Sequence, residues 1–234
     1  MRDYEVAGRT VTMPCVVRDA TAATAMFDVD AGAAAALVPD DLRIVETSPG
    51  RCQLVLAVID YRDNDLGDYR EVGVSLFVTP AADPAAEPGT FIVHLPVDQE
   101  FTCEAGRLIW GFPKTVEEID LDVTGDRLTA TLRMDGELVF RLTLPAGGDD
   151  DMPELPMVTY SMIDGVPHVT GFIQGGAASA VRPGPDGVAL ELGDHPVGRR
   201  LAALGLPAPA LLSTWTGHMR GEFQSPTPIA AARS

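Results

Sequence analysis

Lys114 is the residue of this sequence best suited to covalent chemistry, because it is the only lysine among 234 residues. The chain has 17 lysines and arginines in total, so the other 16 are arginines, whose guanidinium groups stay charged at physiological pH. An amine, in contrast, can lose its proton and attack a carbonyl carbon to form a Schiff base. Lys114 is therefore the candidate nucleophile.

The residues that precede Lys114 are suited to activating an amine. The segment Gly106–Lys114 reads GRLIWGFPK and includes Trp110 and Phe112. Burial among such apolar groups favours the neutral, nucleophilic form of an amine over the charged form. We predict that Lys114 forms a Schiff base with a carbonyl compound in a buried apolar pocket. The competing interpretation is a lysine at the rim of a sheet, with its methylene chain lying on Trp110.

The sequence lacks the motifs of most metal- and cofactor-dependent enzymes. It has no Gly-rich phosphate loop, dinucleotide fingerprint, nucleophile elbow or zinc-protease motif. Its three cysteines are too few for a disulfide framework or a zinc site, and its four histidines show no ligand spacing. We therefore predict that the protein uses neither a metal nor an organic cofactor.

The charge of the chain limits its partners. A formal net charge of −17 argues against binding to nucleic acid or to an anionic membrane, because both require basic patches. No run of 18 apolar residues is present, and the acidic start Met1–Glu5 does not resemble a signal peptide. Together with the odd number of cysteines, these features predict a cytoplasmic protein.

Short strands separated by turn residues dominate the pattern along the chain. Strands are predicted at Arg51–Ile59, Val72–Pro80, Thr90–Leu95, Glu118–Val123, Arg127–Met134, Glu137–Leu144, Met157–Ile163, His168–Gln174, Val188–Leu192 and Ser213–Phe223. Tight hairpin turns are predicted at Asp135-Gly136 and Asp164-Gly165. Helices are predicted at Asp30–Leu42, Gln99–Leu108 and Asp194–Leu204, the last with Asp194 as its N-cap.

This pattern predicts an α+β, mostly β fold, in which an antiparallel barrel or sandwich has helices packed outside it. Composition marks no linker, so residues 1–234 are expected to form a single domain with a loosely ordered tail after about residue 225.

The segment around Lys114 resembles the Schiff-base segment of the acetoacetate decarboxylase superfamily, in which the lysine after proline is the nucleophile. Tyr69-Arg70-Glu71 is similar to the Tyr-x-Glu of that family, and Ala33–Leu42 is similar to its helix ending in Val-Pro-x-x-Leu. The resemblance implies a closed, cone-like antiparallel β-barrel with surrounding helices, assembled as a homo-oligomer.

The resemblance also implies roles for individual residues. Lys114 would be the nucleophile, and Glu71 would carry or position protons. Arg18 lies near the position of an arginine that helps to hold the substrate carboxylate in the family. Substrate binding is assigned to Tyr69, Trp110 and Phe112.

Two departures from the family pattern leave the reaction open. Thr115 stands where the decarboxylase has a second lysine, and Leu54 lies near the position of a second glutamate. The first hypothesis is decarboxylation of a β-keto acid through a Lys114 iminium. The second is an aldol or dehydration reaction on pyruvate-like acids through the same lysine. The third is a barrel that binds a small apolar ligand without turnover.

Overall fold

The computed structural model describes residues 2–230. Within this range the helices are α1 (Ala31–Ala35), α2 (Glu100–Trp110) and α3 (Pro196–Ala203). The strands, in chain order, are β1 (Arg2–Val6), β2 (Arg9–Met13), β3 (Cys15–Asp30), β4 (Leu42–Ile44), β5 (Glu46–Ser48), β6 (Arg51–Asn64), β7 (Tyr69–Pro80), β8 (Gly89–Val97), β9 (Lys114–Val116), β10 (Glu118–Thr124), β11 (Arg127–Met134), β12 (Glu137–Pro145), β13 (Asp150–Ile163), β14 (Val166–Pro183), β15 (Ala189–Leu192), β16 (Ala210–Phe223) and β17 (Thr227–Pro228).

Seven long strands close into a barrel, as predicted. The order around the barrel is β7, β6, β3, β16, β14, β13 and β8, and β8 pairs with β7 to complete the circle. The prediction of a purely antiparallel barrel needs one correction, because β8 and β13 pair in parallel. The reason is topological: the chain between them makes a long crossover through α2 and β9 to β12, so β13 returns in the same direction as β8.

A second, four-stranded sheet (β10, β11, β12 and β15) lies against the outside of the barrel. Asp135-Gly136 forms the predicted turn between β11 and β12, with positive φ angles of 53° and 76°. Both angles are what a two-residue hairpin turn requires. The two sheets and α3 enclose the larger apolar core, to which β6 contributes Cys52, Leu54, Leu56 and Val58.

The alternation of β6 explains how one strand serves both the core and the interior of the barrel. Neighbouring side chains of a strand point to opposite faces. The even-numbered residues from Cys52 to Val58 therefore pack on the second sheet, while Ala57, Ile59 and Tyr61 face the interior.

Several element boundaries differ from the sequence predictions. The hairpin β1–β2 and the 16-residue strand β3 were not predicted, and β13 and β14 are longer than predicted. Helix α1 covers one turn and ends at Ala35, since Pro39 prevents its continuation.

One end assignment was also wrong. His195, not Asp194, caps α3, with its Nδ1 accepting from the Val197 N–H at 3.2 Å. In the tail after residue 225, Thr227–Pro228 form β17, which pairs with β14. Residues 231–234 lie outside the described part of the chain.

Between residues 2 and 230, no helix is long and apolar enough to cross a lipid bilayer.

Candidate active site

Helix α2 and the loop after it place Lys114 inside the barrel. The Gln99 side chain caps the start of α2 by accepting from the Thr102 N–H at 2.8 Å. Gly111 ends the helix in the left-handed conformation, at a φ of 67°, which glycine adopts without strain. The chain then reverses into β9, where Lys114 lies opposite Leu95 of β8.

A missing side chain on α2 makes room for the lysine. A Cβ atom added to Gly106 would lie 2.5 Å from Cδ and 2.7 Å from Cε of Lys114. The methylene chain of Lys114 therefore rests directly on the backbone of α2. This close contact fixes where the amine can lie.

The Lys114 amine is buried and makes two polar contacts. Its Nζ lies 2.7 Å from Oε2 of Glu71 and donates a hydrogen bond to Oγ1 of Thr102 at 3.1 Å. The ring centre of Tyr69 is 4.9 Å from Nζ. Only 5% of Lys114 and 7% of Glu71 are exposed to solvent, so the ion pair is shielded from water.

Two stacked tyrosines line the same end of the cavity. The Tyr61 hydroxyl donates to Oε1 of Glu71 at 3.3 Å, and the rings of Tyr61 and Tyr69 stack with centres 4.4 Å apart. Burial, reinforced by the Glu71 carboxylate, raises the pKa of each phenol well above its ordinary value. Both tyrosines therefore stay protonated near neutral pH, so the Tyr61 hydroxyl remains a donor to Glu71.

The cavity that holds these groups has a volume of about 170 Å³ and is largely apolar. This is below the ~300–1,000 Å³ of pockets that hold drug-sized ligands, so the cavity suits a small molecule. Among the described residues that line it, Lys114 and Glu71 are the only charged ones. A ligand inside the cavity would therefore meet one cation and one anion, already paired with each other.

Aromatic side chains form one wall of the cavity. Trp110 and Phe112 stack at 5.8 Å, and Phe223 meets Trp110 edge-on at 6.4 Å. The Trp110 Nε1–H donates to the backbone oxygen of Gln224 at 3.0 Å, which locks the indole in place. This wall gives the cavity a fixed apolar surface beside the lysine.

The structure brings together five of the six predicted site residues. Lys114, Glu71, Tyr69, Trp110 and Phe112 all line the cavity.

Arg18, the sixth, is not among the residues that line the cavity. Its guanidinium is half-exposed on β3 and pairs with Asp63 at 2.8 Å and with Asp65 at 2.7 Å. The structure therefore places Arg18 in a surface ion-pair cluster and not among the residues that line the cavity.

The two departures from the family pattern also have clear positions. Leu54 is fully buried in the core between the sheets, and Thr115 is exposed. Neither side chain lines the cavity.

Three contributors to the site were missed by the sequence analysis: Tyr61, Thr102 and Gly106. Strand alternation places Tyr61 on the same face as Ile59, but that pattern alone does not show which face is the interior. Thr102 and Gly106 are four residues apart and so share a face of α2. Their partner, Lys114, approaches that face only after the chain has reversed.

Comparison with known proteins agrees with this geometry. The family model for acetoacetate decarboxylase (ADC) matches residues 5–218. No protein with a curated description matches the chain.

Solved structures with the same fold include acetoacetate decarboxylase from Legionella pneumophila, with a TM-score of 0.69 and 20% identity over 96% of this chain and 92% of that one. The enduracididine biosynthesis enzyme MppR has a TM-score of 0.66 and 16% identity over 94% and 89% of the two chains. It has also been solved with the condensation product of pyruvate and imidazole 4-carboxaldehyde. An acetoacetate decarboxylase-like enzyme from Sphingomonas wittichii RW1 has a TM-score of 0.62 and 18% identity over 95% of each chain.

Proposed function

This chain belongs to the acetoacetate decarboxylase family, and on that premise we propose that it is a lyase that decarboxylates a small β-keto acid through a Schiff base on Lys114. The observation that carries the proposal is the buried contact between Nζ of Lys114 and Oε2 of Glu71 inside an apolar cavity. It joins a nucleophile to a group that can hold its proton, and these two are the only charged side chains among the described residues that line the cavity.

The contact supplies the first proton transfer. An ammonium group is not nucleophilic, so Lys114 must lose a proton before it attacks. Glu71 accepts that proton along the 2.7 Å contact, and the exchange turns the buried ion pair into a neutral amine and a neutral acid. Thr102, at 3.1 Å, keeps the nitrogen in place during the exchange.

The remaining steps follow from the chemistry of an imine. The amine attacks the ketone carbon, Glu71 returns its proton to the oxygen, and water leaves to give a positively charged iminium. The bond between the α-carbon and the carboxylate then breaks, its electron pair passes through the α-carbon to the iminium nitrogen, and carbon dioxide departs. The enamine takes a proton at carbon, and water releases the ketone and restores the Lys114 amine.

Charge balance in the cavity favours decarboxylation. A carboxylate buried without a partner is unfavourable, and Lys114 is the only cation among the described residues lining the cavity. In decarboxylation the electron pair of the broken bond neutralises the iminium, and the carboxyl group leaves as neutral carbon dioxide. An α-keto acid would keep its carboxylate throughout the reaction and would need a permanent partner.

A second candidate function is an aldol or dehydration reaction on a pyruvate-like acid. It would use the same lysine and the same proton carrier. The observation that favours it is the likeness of the fold to MppR, whose structure has been solved with pyruvate and with a condensation product of pyruvate.

Borohydride trapping tests the shared chemistry. The protein is incubated with acetoacetate or with pyruvate, reduced with borohydride, and analysed by intact mass and peptide mapping. We expect a reduced adduct on the peptide that contains Lys114, and none in the Lys114→Arg variant, which keeps the charge but cannot form an imine. Release of carbon dioxide from acetoacetate would separate the first candidate from the second.

Two results would contradict the proposal. One is the absence of any adduct on Lys114 across a panel of keto acids. The other is turnover that survives in Lys114→Arg.

A further inference from the structure

The end of the cavity away from Lys114 is polar but uncharged. Glu71, Gly73 and Ser75 alternate along β7 and all line the cavity. At about 3.3 Å per residue, Ser75 lies about 13 Å along the strand from Glu71. Ser75 pairs with Ile92 of β8, and Thr90, on the same face of that strand, also lines the cavity.

One further threonine extends this polar end across the parallel pairing of β8 with β13, the seam of the barrel. Thr159 of β13 lies opposite Thr90 in the β8–β13 register, and its hydroxyl donates to the Thr90 backbone oxygen at 3.1 Å. Thr170 of β14 lies directly opposite Thr159, but it is not among the residues that line the cavity. Three strands thus contribute one cavity-lining hydroxyl each, from Ser75, Thr90 and Thr159.

Two of these hydroxyls have unused hydrogen-bonding capacity. The structure gives the side chains of Ser75 and Thr90 no hydrogen bond to another described residue. Both residues are half-buried and line the cavity, so their hydroxyls can be paired by water or by a bound ligand. An oxygen of a ligand therefore fits this end of the cavity.

We infer that Ser75 and Thr90 form a specificity subsite for an uncharged oxygen of the substrate, a hydroxyl or a second carbonyl, at the end of the substrate remote from the reacting ketone. This inference deepens the proposed function and rests on it for the position of the reacting carbon. An oxygen without charge is specified because no cation lines this end of the described cavity. A second carboxylate would be buried there without a partner.

Binding of simple ketones tests the subsite without requiring turnover. The probes are straight-chain methyl ketones from pentanone to octanone, each compared with the same ketone carrying a hydroxyl on its terminal carbon. The affinity of the wild-type protein is measured by calorimetry. We expect the hydroxylated member to bind about tenfold tighter at the chain length that spans the cavity, the effect of one or two well-formed hydrogen bonds.

The variants Ser75→Ala and Thr90→Val should each reduce that preference. Each removes a side-chain hydroxyl that has no hydrogen bond to a described residue, so both should fold normally. The matched control is Thr131→Val on β11, outside the cavity, which should keep the preference.

The inference is overturned if hydroxylated and plain ketones bind equally at every chain length, the result expected if these hydroxyls bind only water. It is also overturned if the preference persists in both variants. Borohydride trapping of the same ketones is measured in parallel. If the ketones are trapped on Lys114 but the hydroxylated ones bind no tighter, the proposed function stands and the subsite is contradicted. If the hydroxylated ketones bind tighter but none is trapped, the subsite stands and the proposed function is contradicted.

Discussion

At the scale of single residues, the buried pair of Lys114 and Glu71 affects both the stability of the fold and the proposed reaction. Taking two charges out of water costs several kcal/mol, and their attraction offsets this only while both partners remain. Substitution of either residue alone is therefore expected to destabilise the fold. It is also the group on which the proposed reaction depends.

The first prediction concerns Glu71→Gln, which keeps the shape of the side chain and removes its charge. We expect turnover to fall about 10²- to 10⁴-fold, because the proton carrier is lost. We also expect the free energy of unfolding to fall by about 3–5 kcal/mol, because the Lys114 ammonium is left buried and unpaired. Steady-state kinetics and denaturant unfolding measure the two effects.

A double variant separates pairing from packing. Glu71→Gln combined with Lys114→Met should lose less stability than the sum of the two single variants, since no lone charge remains. The exposed Glu118→Gln on β10 is the matched control and should change neither property. Additive losses in the double variant would contradict the prediction.

Sequence identified the proposed reacting residues more readily than the residues that position them. The only lysine and its apolar segment are visible in the chain as printed, and the Tyr69–Glu71 match indicated the acid. Tyr61 and Thr102 touch these groups through pairing across strands and through the reversal after α2, which no local pattern reveals. Arg18 was assigned by its position in the chain, but its partners, Asp63 and Asp65, keep it at the surface.

At the scale of elements, α2 acts as the support for the lysine. Its Gln99 cap fixes where the helix begins, and the left-handed Gly111 fixes where it ends. Between these points only Gly106 lets the Lys114 chain pass against the helix backbone. The position of the amine is therefore determined by where α2 begins and ends and by where Gly106 falls within it, and not by the amino-acid composition of the helix.

The second prediction is that Gly106→Ala lowers activity by displacing the amine. Alanine is favoured over glycine within a helix by about 1 kcal/mol, but the atoms it meets belong to the Lys114 side chain. We expect turnover to fall about 100-fold because the amine is displaced. We also expect the fold to be no more stable than the wild type, because displacement weakens the buried pair of Lys114 with Glu71 and offsets the gain in helix propensity. Thermal unfolding and kinetics test this, with the exposed Glu104→Ala on the same helix as the control. Full activity in Gly106→Ala would show that the lysine does not need this contact.

Elements with strong local signals were predicted well, and those formed by long-range pairing were not. Arg127–Met134 was predicted with its observed limits, because it alternates cleanly and ends at the Asp135-Gly136 turn. Strand β3 was missed because its alternating positions are filled largely by alanine and threonine, and it is stabilised by its neighbours β6 and β16. The parallel pairing of β8 with β13 has no signal in either strand.

At the scale of the whole molecule, closure of the barrel depends on the parallel pairing of β8 with β13, the seam of the barrel. Only two residue pairs join β8 to β13, Thr159 with Thr90 and Tyr160 with Phe91. The Tyr160 hydroxyl adds a hydrogen bond to the Glu87 backbone oxygen at 2.7 Å. Gly89, at the start of β8, lets the two strands approach each other.

The third prediction is that Gly89→Ala weakens the seam. The new Cβ would lie 2.6 Å from Cγ2 and 2.7 Å from the backbone oxygen of Val158. We expect the free energy of unfolding to fall by about 1–3 kcal/mol, as for other overpacked sites. Gly171→Ala on β14, where no atom lies within 4 Å of the added Cβ, is the control and should change stability little. Equal effects of the two substitutions would argue against a tight seam.

The fourth prediction concerns the stability of the fold at acid pH. It involves a cluster of charged side chains that connects three barrel strands. Asp19 of β3 binds Arg62 of β6 at 2.7 Å and His218 of β16 at 3.0 Å. Hydrogen bonds from Arg62, supplemented by His218, lower the pKa of Asp19 from 3.8 to about 2. A carboxyl group whose pKa is lower in the folded state stabilises the fold above its unfolded pKa and loses that contribution as the pH falls.

Stability should therefore decline between about pH 4 and pH 2, and part of that decline should be missing in Asp19→Asn. Unfolding midpoints measured across this range test the prediction. Identical pH profiles for the two proteins would show that Asp19 makes no such contribution.

The presence of only one lysine makes the protein unusually convenient for spectroscopy. Cells fed isotopically labelled lysine would produce a chain with one labelled side chain, and that side chain is the buried Lys114. A single nuclear magnetic resonance signal would then report whether the nitrogen is an ammonium, an amine or an imine, free from overlap with other residues. The reacting group could be followed through a titration or during turnover without any change to the sequence.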